Sequence, residues 1–204
     1  MELCLKRPSL SNMKQRILIT ILGLAFFFLL GNAKPISLYD VDPNIIIIDK
    51  IEIEILGNST VGKYNCVNPH SYRDTIYLNS TTKNSLKSEI SMSNFECGNK
   101  IMNKDLKTTV KAVKFPKSTV TITNIKPFGT NFKCSLNFRI TDKTLSYQNL
   151  VLKNTKENLE GTVAVKFSDI GLEPPTKMGG IIKVKNEFVI HFNLYKLWFS
   201  LQLF

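Results

Sequence analysis

The chain has 204 residues, of which 43% are hydrophobic, 10% aromatic and 21% charged, the proportions of a globular protein with an apolar core. They exclude a disordered chain, a collagen-like rod and a polytopic membrane protein, because only one run, Ile17 to Leu30, is long and apolar enough to meet a bilayer. The formal charge is +11, but only four of the 27 cationic residues are Arg and no cluster interleaves them with stacking aromatics. The charge therefore points to solvated lysines with a general attraction to anionic lipid head groups or acidic glycans, and not to nucleic acid.

Ile17 to Leu30 lies behind Lys6, Arg7, Lys14 and Arg16 and ends at Gly31-Asn32-Ala33. A charged start, an apolar run shorter than the about 20 residues of a spanning helix, and small residues before the cut make residues 1–33 a secretory signal peptide, with an uncleaved anchor as the alternative. Residues 34–204 are then expected to form a single domain, periplasmic or secreted. Removing the leader removes Cys4 and leaves Cys66, Cys97 and Cys134, an odd number in an oxidising compartment, so at most one intramolecular disulfide can form.

From Asn44 onward, short runs with period-two alternation dominate, which predicts antiparallel strands. Ile51, Ile53 and Ile55 alternate with Glu52 and Glu54, and Gly57-Asn58-Ser59-Thr60 turns the chain into a strand over Val61 to Val67. Asn68 to Asp74 reads as a loop, rich in turn residues, before a short strand over Thr75 to Leu78. Strands follow over Leu86 to Phe95, Ser118 to Ile125, Thr130 to Ile140, Thr144 to Leu152, Gly161 to Ser168 and Ile181 to Leu194. Phe132, Cys134, Leu136, Phe138 and Ile140 form the clearest inward row, and Phe188, Ile190, Phe192 and Leu194 a second.

One segment has helical spacing. Between Gly98 and Val113, Met102, Leu106, Val110 and Val113 mark one side while Lys100, Lys104, Lys107 and Lys111 mark the other, which predicts an amphipathic helix ending before Phe115-Pro116. Eight or nine strands with one helix imply an all-β closed barrel or a strongly coiled sandwich. Residues 197–204 read as an apolar tail laid over a barrel mouth or a partner surface.

Catalysis has little support. His191 sits on the outward face of the last strand, and His70, near Cys66, lacks an orienting third group and an oxyanion site. No motif with metal-ligand spacing and no phosphate-cradling loop is present, so no metal and no cofactor are expected.

Three stretches resemble the YceI-like family of secreted, lipocalin-like proteins, in a form common in Bacteroidetes: Ile53 to Val61 through Tyr64-Asn65-Cys66; Phe95 to Leu106 followed by Lys114 to Val120; and Phe167 to Thr176 through Gly180 to Phe188. The resemblance spans roughly Ile45 to Leu194. It implies an eight-stranded antiparallel barrel with one capping helix, whose lumen in some members holds a long isoprenoid or other lipid chain. Three departures separate the chain from the polyisoprenoid-binding members: Ile170 at an aromatic place, a shorter helix, and Leu106-Lys107-Thr108-Thr109-Val110 in place of a second Asp-Phe pair.

The function expected is a non-catalytic carrier or sensor of an isoprenoid, quinone or fatty acyl chain, with a ligand-free structural or interaction module of the cell envelope as the alternative. Peripheral contact with a membrane and a homodimer are left open. A ligand in the lumen would be lined by Val120, Ile122, Phe132, Leu136, Phe138, Phe188, Ile190 and Phe192, with Leu136 at the centre of the longest row. Cys134, in that row, is expected to be buried and unreactive. Cys66 ends a strand and Cys97 enters the helix loop, so the two are either bridged or, with Cys134, three reduced core thiols.

Overall fold

The computed structural model describes residues 42–197. The expected leader with its cut after Ala33, and residues 198–204 of the expected tail, lie outside the described residues.

The architecture is an all-β, antiparallel, nearly closed eight-stranded barrel with one helix. Its strands are β1 (Ile45–Ser59), β2 (Gly62–Tyr77), β3 (Ser85–Ser91), β4 (Lys117–Phe128), β5 (Asn131–Ile140), β6 (Lys143–Asn154), β7 (Asn158–Lys166) and, after a two-residue strand β8 (Thr176–Lys177), β9 (Ile182–Lys196). Helix α1 (Lys100–Thr109) lies between β3 and β4. The order around the barrel is β2-β1-β9-β7-β6-β5-β4-β3, with β8 paired to β9 beside this path.

The alternation in the sequence becomes the inner wall. In β1 a bulge at Asp49 shifts the phase by one residue, so that Ile46 and Ile48 and then Ile51, Ile53 and Ile55 all face inward. In β5, Cys134, Leu136, Phe138 and Ile140 are buried, and Leu136 lies opposite Ile122 of β4. Phe132, placed by the sequence in the same row, is only half-buried near the β5 end, opposite Pro127 and Leu152.

Two expectations are corrected. Asn68 to Asp74 is not a loop but the middle of the continuous strand β2, paired with β1 from Ser71 opposite Lys50 to Val67 opposite Glu54. Pro69 is tolerated because β2 has no continuous ladder on its other side, so a missing N–H there breaks no hydrogen-bond row. The helix is shorter than Gly98 to Val113: it starts at Lys100, where the Asn99 side chain accepts from the Met102 amide, and ends at Thr109. Met102 and Leu106 pack against the core and Val110 is buried, but Val113 lies beyond the helix, fully exposed.

Closure between β2 and β3 is made piecewise. Val67 and Glu96 exchange two backbone hydrogen bonds of 2.9 Å. Asn68 Nδ2 donates to the Ser91 carbonyl at 2.8 Å and Tyr72 Oη to the Lys87 carbonyl at 2.9 Å. Cys66 and Cys97, with Cα atoms 4.0 Å apart, are joined by a disulfide across the same seam. On the opposite side, β6 and β7 pair only at Lys153–Glu160 and Asn154–Leu159, beside their connecting turn.

Candidate functional site

A cavity of about 340 Å³ occupies the end of the barrel that α1 caps. Ile53 and Ile55 of β1, Phe138 and Ile140 of β5, and Phe188 and Ile190 of β9 form its strand-borne wall. Met92 and Phe95, after β3, and Met102, Leu106 and Val110 of the helix region cover it from another side. The sequence sets up this cover directly: residues at spacing four share one helix face, and that face is turned to the cavity.

The segment after β7 supplies a third side through a local device. Phe167–Ile170 forms one 3₁₀ turn, which brings Phe167 and Ile170, three residues apart, to the same side while Ser168 and Asp169 stay exposed. Gly171 ends it at φ 67°, a left-handed conformation that a side chain would strain, and directs Leu172 inward. The Phe167 and Phe188 rings meet at 4.8 Å between centroids, tilted by 56°, an edge-biased geometry favoured by aromatic quadrupoles.

Polar groups are few and lie toward the opening. Tyr64 of β2 sits opposite Gly57 of β1, and its ring lies across the strand there: a Cβ on Gly57 would come within 2.1 Å of the ring. Burial pushes the Tyr64 phenol up to about 12, so it remains a protonated hydroxyl at physiological pH. Asp105 of α1 and Lys177 of β8 join across the opening, Nζ to Oδ1 at 2.7 Å. Lys177 is exposed and Asp105 half-buried, and a solvent-accessible pair of this kind contributes at most about 1 kcal/mol; it is a latch that opens at little cost.

Of the eight residues expected to line a lumen, the structure brings Phe138, Phe188 and Ile190 to the cavity wall. Val120, Ile122, Leu136 and Phe192 are buried but do not reach it, and neither does the half-buried Phe132. Leu136, 0% exposed, is therefore not at the centre of an open lumen but in the filled part of the barrel. Phe192 is held there by Gly161, opposite it on β7, where a Cβ would come within 2.3 Å of the Phe192 ring. The residues that the expected lumen set missed are Ile53, Ile55 and Ile140 on the strands, Met92 and Phe95 after β3, the helix face, the 3₁₀ turn and Tyr64. The strand alternation could have found the first three and the helix spacing the helix face.

The other candidates do not form a reactive centre. Cys66 is bonded to Cys97, so it offers no thiolate to His70, which packs against Tyr72 on β2. His191 faces outward, opposite Glu54 and Thr162. Cys134 is buried as a free thiol, pushed up to about 12 by desolvation and thus without the thiolate character that reactivity requires. Among the described residues no three His, Cys, Asp or Glu side chains are grouped to hold a metal ion.

Similar solved structures include a polyisoprenoid-binding domain from Saccharophagus degradans, at 10% identity and a TM-score of 0.46, covering 74% of this chain and 98% of that one. Another is the YceI protein of Campylobacter jejuni, at 12% identity and a TM-score of 0.45, covering 82% of this chain and 92% of that one. A search of curated proteins finds no significant match. The YceI-like domain family matches residues 66–195, from the disulfide-bonded Cys66 of β2 almost to the end of β9, and the chain belongs to that family.

Proposed function

We propose that this protein is a secreted or periplasmic, non-catalytic carrier or sensor that takes one slim apolar chain, an isoprenoid or quinone tail or a fatty acyl chain, into the helix-capped end of its barrel. The observation that carries this reading is the cavity itself: about 340 Å³, walled by aliphatic and aromatic side chains, with Tyr64, Asp105 and Lys177 at the opening. That volume falls at the lower end of the roughly 300–1,000 Å³ of small-molecule sites. Binding would be driven by apolar area leaving water, at about 25 cal/mol per Å², and needs no reactive group. A polar head would stay near the opening, within reach of the Tyr64 hydroxyl and the Lys177 ammonium.

The alternative, a ligand-free structural or interaction module of the envelope, is favoured by the filled half of the barrel around Leu136. Native mass spectrometry and lipid extraction of the protein purified gently from its own host separate the two. The carrier reading expects one bound lipid in the parent and none in Ile55→Trp, which places an indole inside the cavity wall. A parent that is lipid-free, and that takes up no isoprenoid, quinone or fatty acid when offered them, removes the carrier and leaves the module.

A further inference from the structure

The geometry points to a second property of the cavity end: its rim is a docking surface for a bilayer carrying anionic lipid. Large apolar side chains left exposed are concentrated there. Val61, Ile101, Met178 and Ile181 are 68%, 75%, 70% and 69% exposed, and they make up half of the large hydrophobic side chains exposed among the described residues. Val61 and Ile101 also line the cavity, so the apolar rim is continuous with the apolar interior.

Hydrogen bonds tie the rim into one ledge. Thr60, in the β1–β2 turn, donates through its amide to the Lys183 carbonyl at 3.0 Å and through Oγ1 to the Ile181 carbonyl at 2.8 Å. The Lys177–Asp105 pair joins this ledge to α1. Around α1 the side chains fall into three sectors at about 100° per residue. Met102 and Leu106, with Val110 at the helix end, face the cavity, Ile101 stands at the rim, and Lys100, Lys104 and Lys107 occupy the sector beyond it, next to Lys111 just past the helix. Lys63 and Lys183 continue the cationic border on the ledge. None of these six lysines is in an ion pair among the described residues.

Charge complementarity selects the occupant. A second copy would bring the same lysine border against itself, and like charges facing one another oppose association. A soluble polyanion would engage the lysines but give no apolar surface to the four exposed side chains. A bilayer with anionic head groups satisfies both, with apolar side chains entering the acyl boundary and lysines remaining among the phosphates. With the opening against the bilayer, an apolar chain would pass between membrane and cavity without crossing water.

The inference rests on the apolar-ligand reading for its purpose, yet the two fail separately, because docking is scored by vesicle binding and loading by bound lipid. The protein, purified as its host exports it, is sedimented with vesicles of phosphatidylcholine alone or of equal parts phosphatidylcholine and phosphatidylglycerol. Binding is expected to the mixed vesicles only, and to weaken as salt shortens the screening length from about 8 Å to about 3 Å. Lys104→Gln, Lys107→Gln and Lys111→Gln together should weaken it by about a hundredfold, at about fivefold per lysine near an anionic surface. Ile101→Glu with Ile181→Glu should abolish it while leaving the melting temperature unchanged, since both side chains are exposed. Ile55→Trp should dock normally but carry no lipid. Equal binding to both vesicles, no binding to either, or binding that survives Ile101→Glu with Ile181→Glu and is fully displaced by heparin would each overturn the docking surface, the last by identifying a polyanion site instead.

Discussion

The two halves of the barrel bury similar side chains to opposite ends. Around Leu136, Ile122, Leu152 and Leu159 the interior is filled, and of the twelve large side chains most completely buried only Ile170 borders the cavity. At the helix end aliphatic side chains, joined by Phe138 and Phe188, stand apart, and the space between them forgoes the close contacts that stabilise a core. The hollow end is held by other means: the Cys66–Cys97 disulfide and the Val67–Glu96 bridge. Glycine plays a matching part in each half. Gly161 lets Phe192 fold into the filled end, and Gly57 lets Tyr64 lie along the hollow one. A barrel can thus keep an open cavity where cross-links replace packing.

The sharpest way to break this contrast is to make a hole in the filled half. Leu136→Ala should cost about 2–5 kcal/mol, seen as a lower urea midpoint at unchanged slope, because the surrounding wall cannot collapse fully around the missing methyls. A loss under about 1 kcal/mol would show that this half is loosely packed as well. At the hollow end, Cys66→Ala with Cys97→Ala removes a cross-link spanning 31 residues of sequence. On the loop-entropy account that costs about 3–4 kcal/mol, and the melting temperature should fall by about 10 °C. An unchanged melting temperature would mean that packing, not the cross-link, holds the helix end.

Alkaline titration sharpens the comparison, since each half holds a neutral acid that desolvation raises. Cys134, in the filled half, and Tyr64, at the cavity, have folded values of about 12, raised by desolvation above 9.0 and 10.0. Between these limits the folded state keeps protons that the unfolded chain has released. Stability is therefore full below pH 9 and is lost as pH rises toward 12. Cys134→Ala should delay the onset of this loss, measured as urea midpoints across that range; the same onset in the variant would assign it elsewhere. The smallest effect belongs to Lys177→Ala. It should change stability by less than about 1 kcal/mol but speed exchange of a fluorescent fatty acid probe. Unchanged exchange would remove the latch.

Much of this fold is legible in the sequence because alternation and burial are one fact: a residue such as Leu136 or Ile190 can face only one side of a pleated strand. The limits are equally physical. β2 is hidden by Pro69, whose missing amide breaks a strand pattern on paper but breaks no hydrogen bond at an unladdered edge. The cavity is hidden because alternation tells which side chains point inward, not whether the space they point into is filled. Phe138 and Leu136 are indistinguishable by pattern, two residues apart on one face, yet one borders the cavity and the other does not. What separates them is distance along the barrel from α1, a tertiary property. Tyr64 carries no local signal either, since its place depends on a glycine on the neighbouring strand.

The position of β9 between β1 and β7 governs the order in which the molecule can assemble. Without Ile182–Lys196, β1 and β2 form one hairpin and β3 to β7 a separate meander, with no ladder joining them. The strand that unites their ladders is the last of the nine to leave the ribosome, so before it emerges only the Val67–Glu96 bridge and the contacts beside it can link the two parts. Such long-range pairing makes folding slow relative to helical proteins of the same size. Closure of the barrel consequently waits for its last long strand, a delay imposed by topology alone.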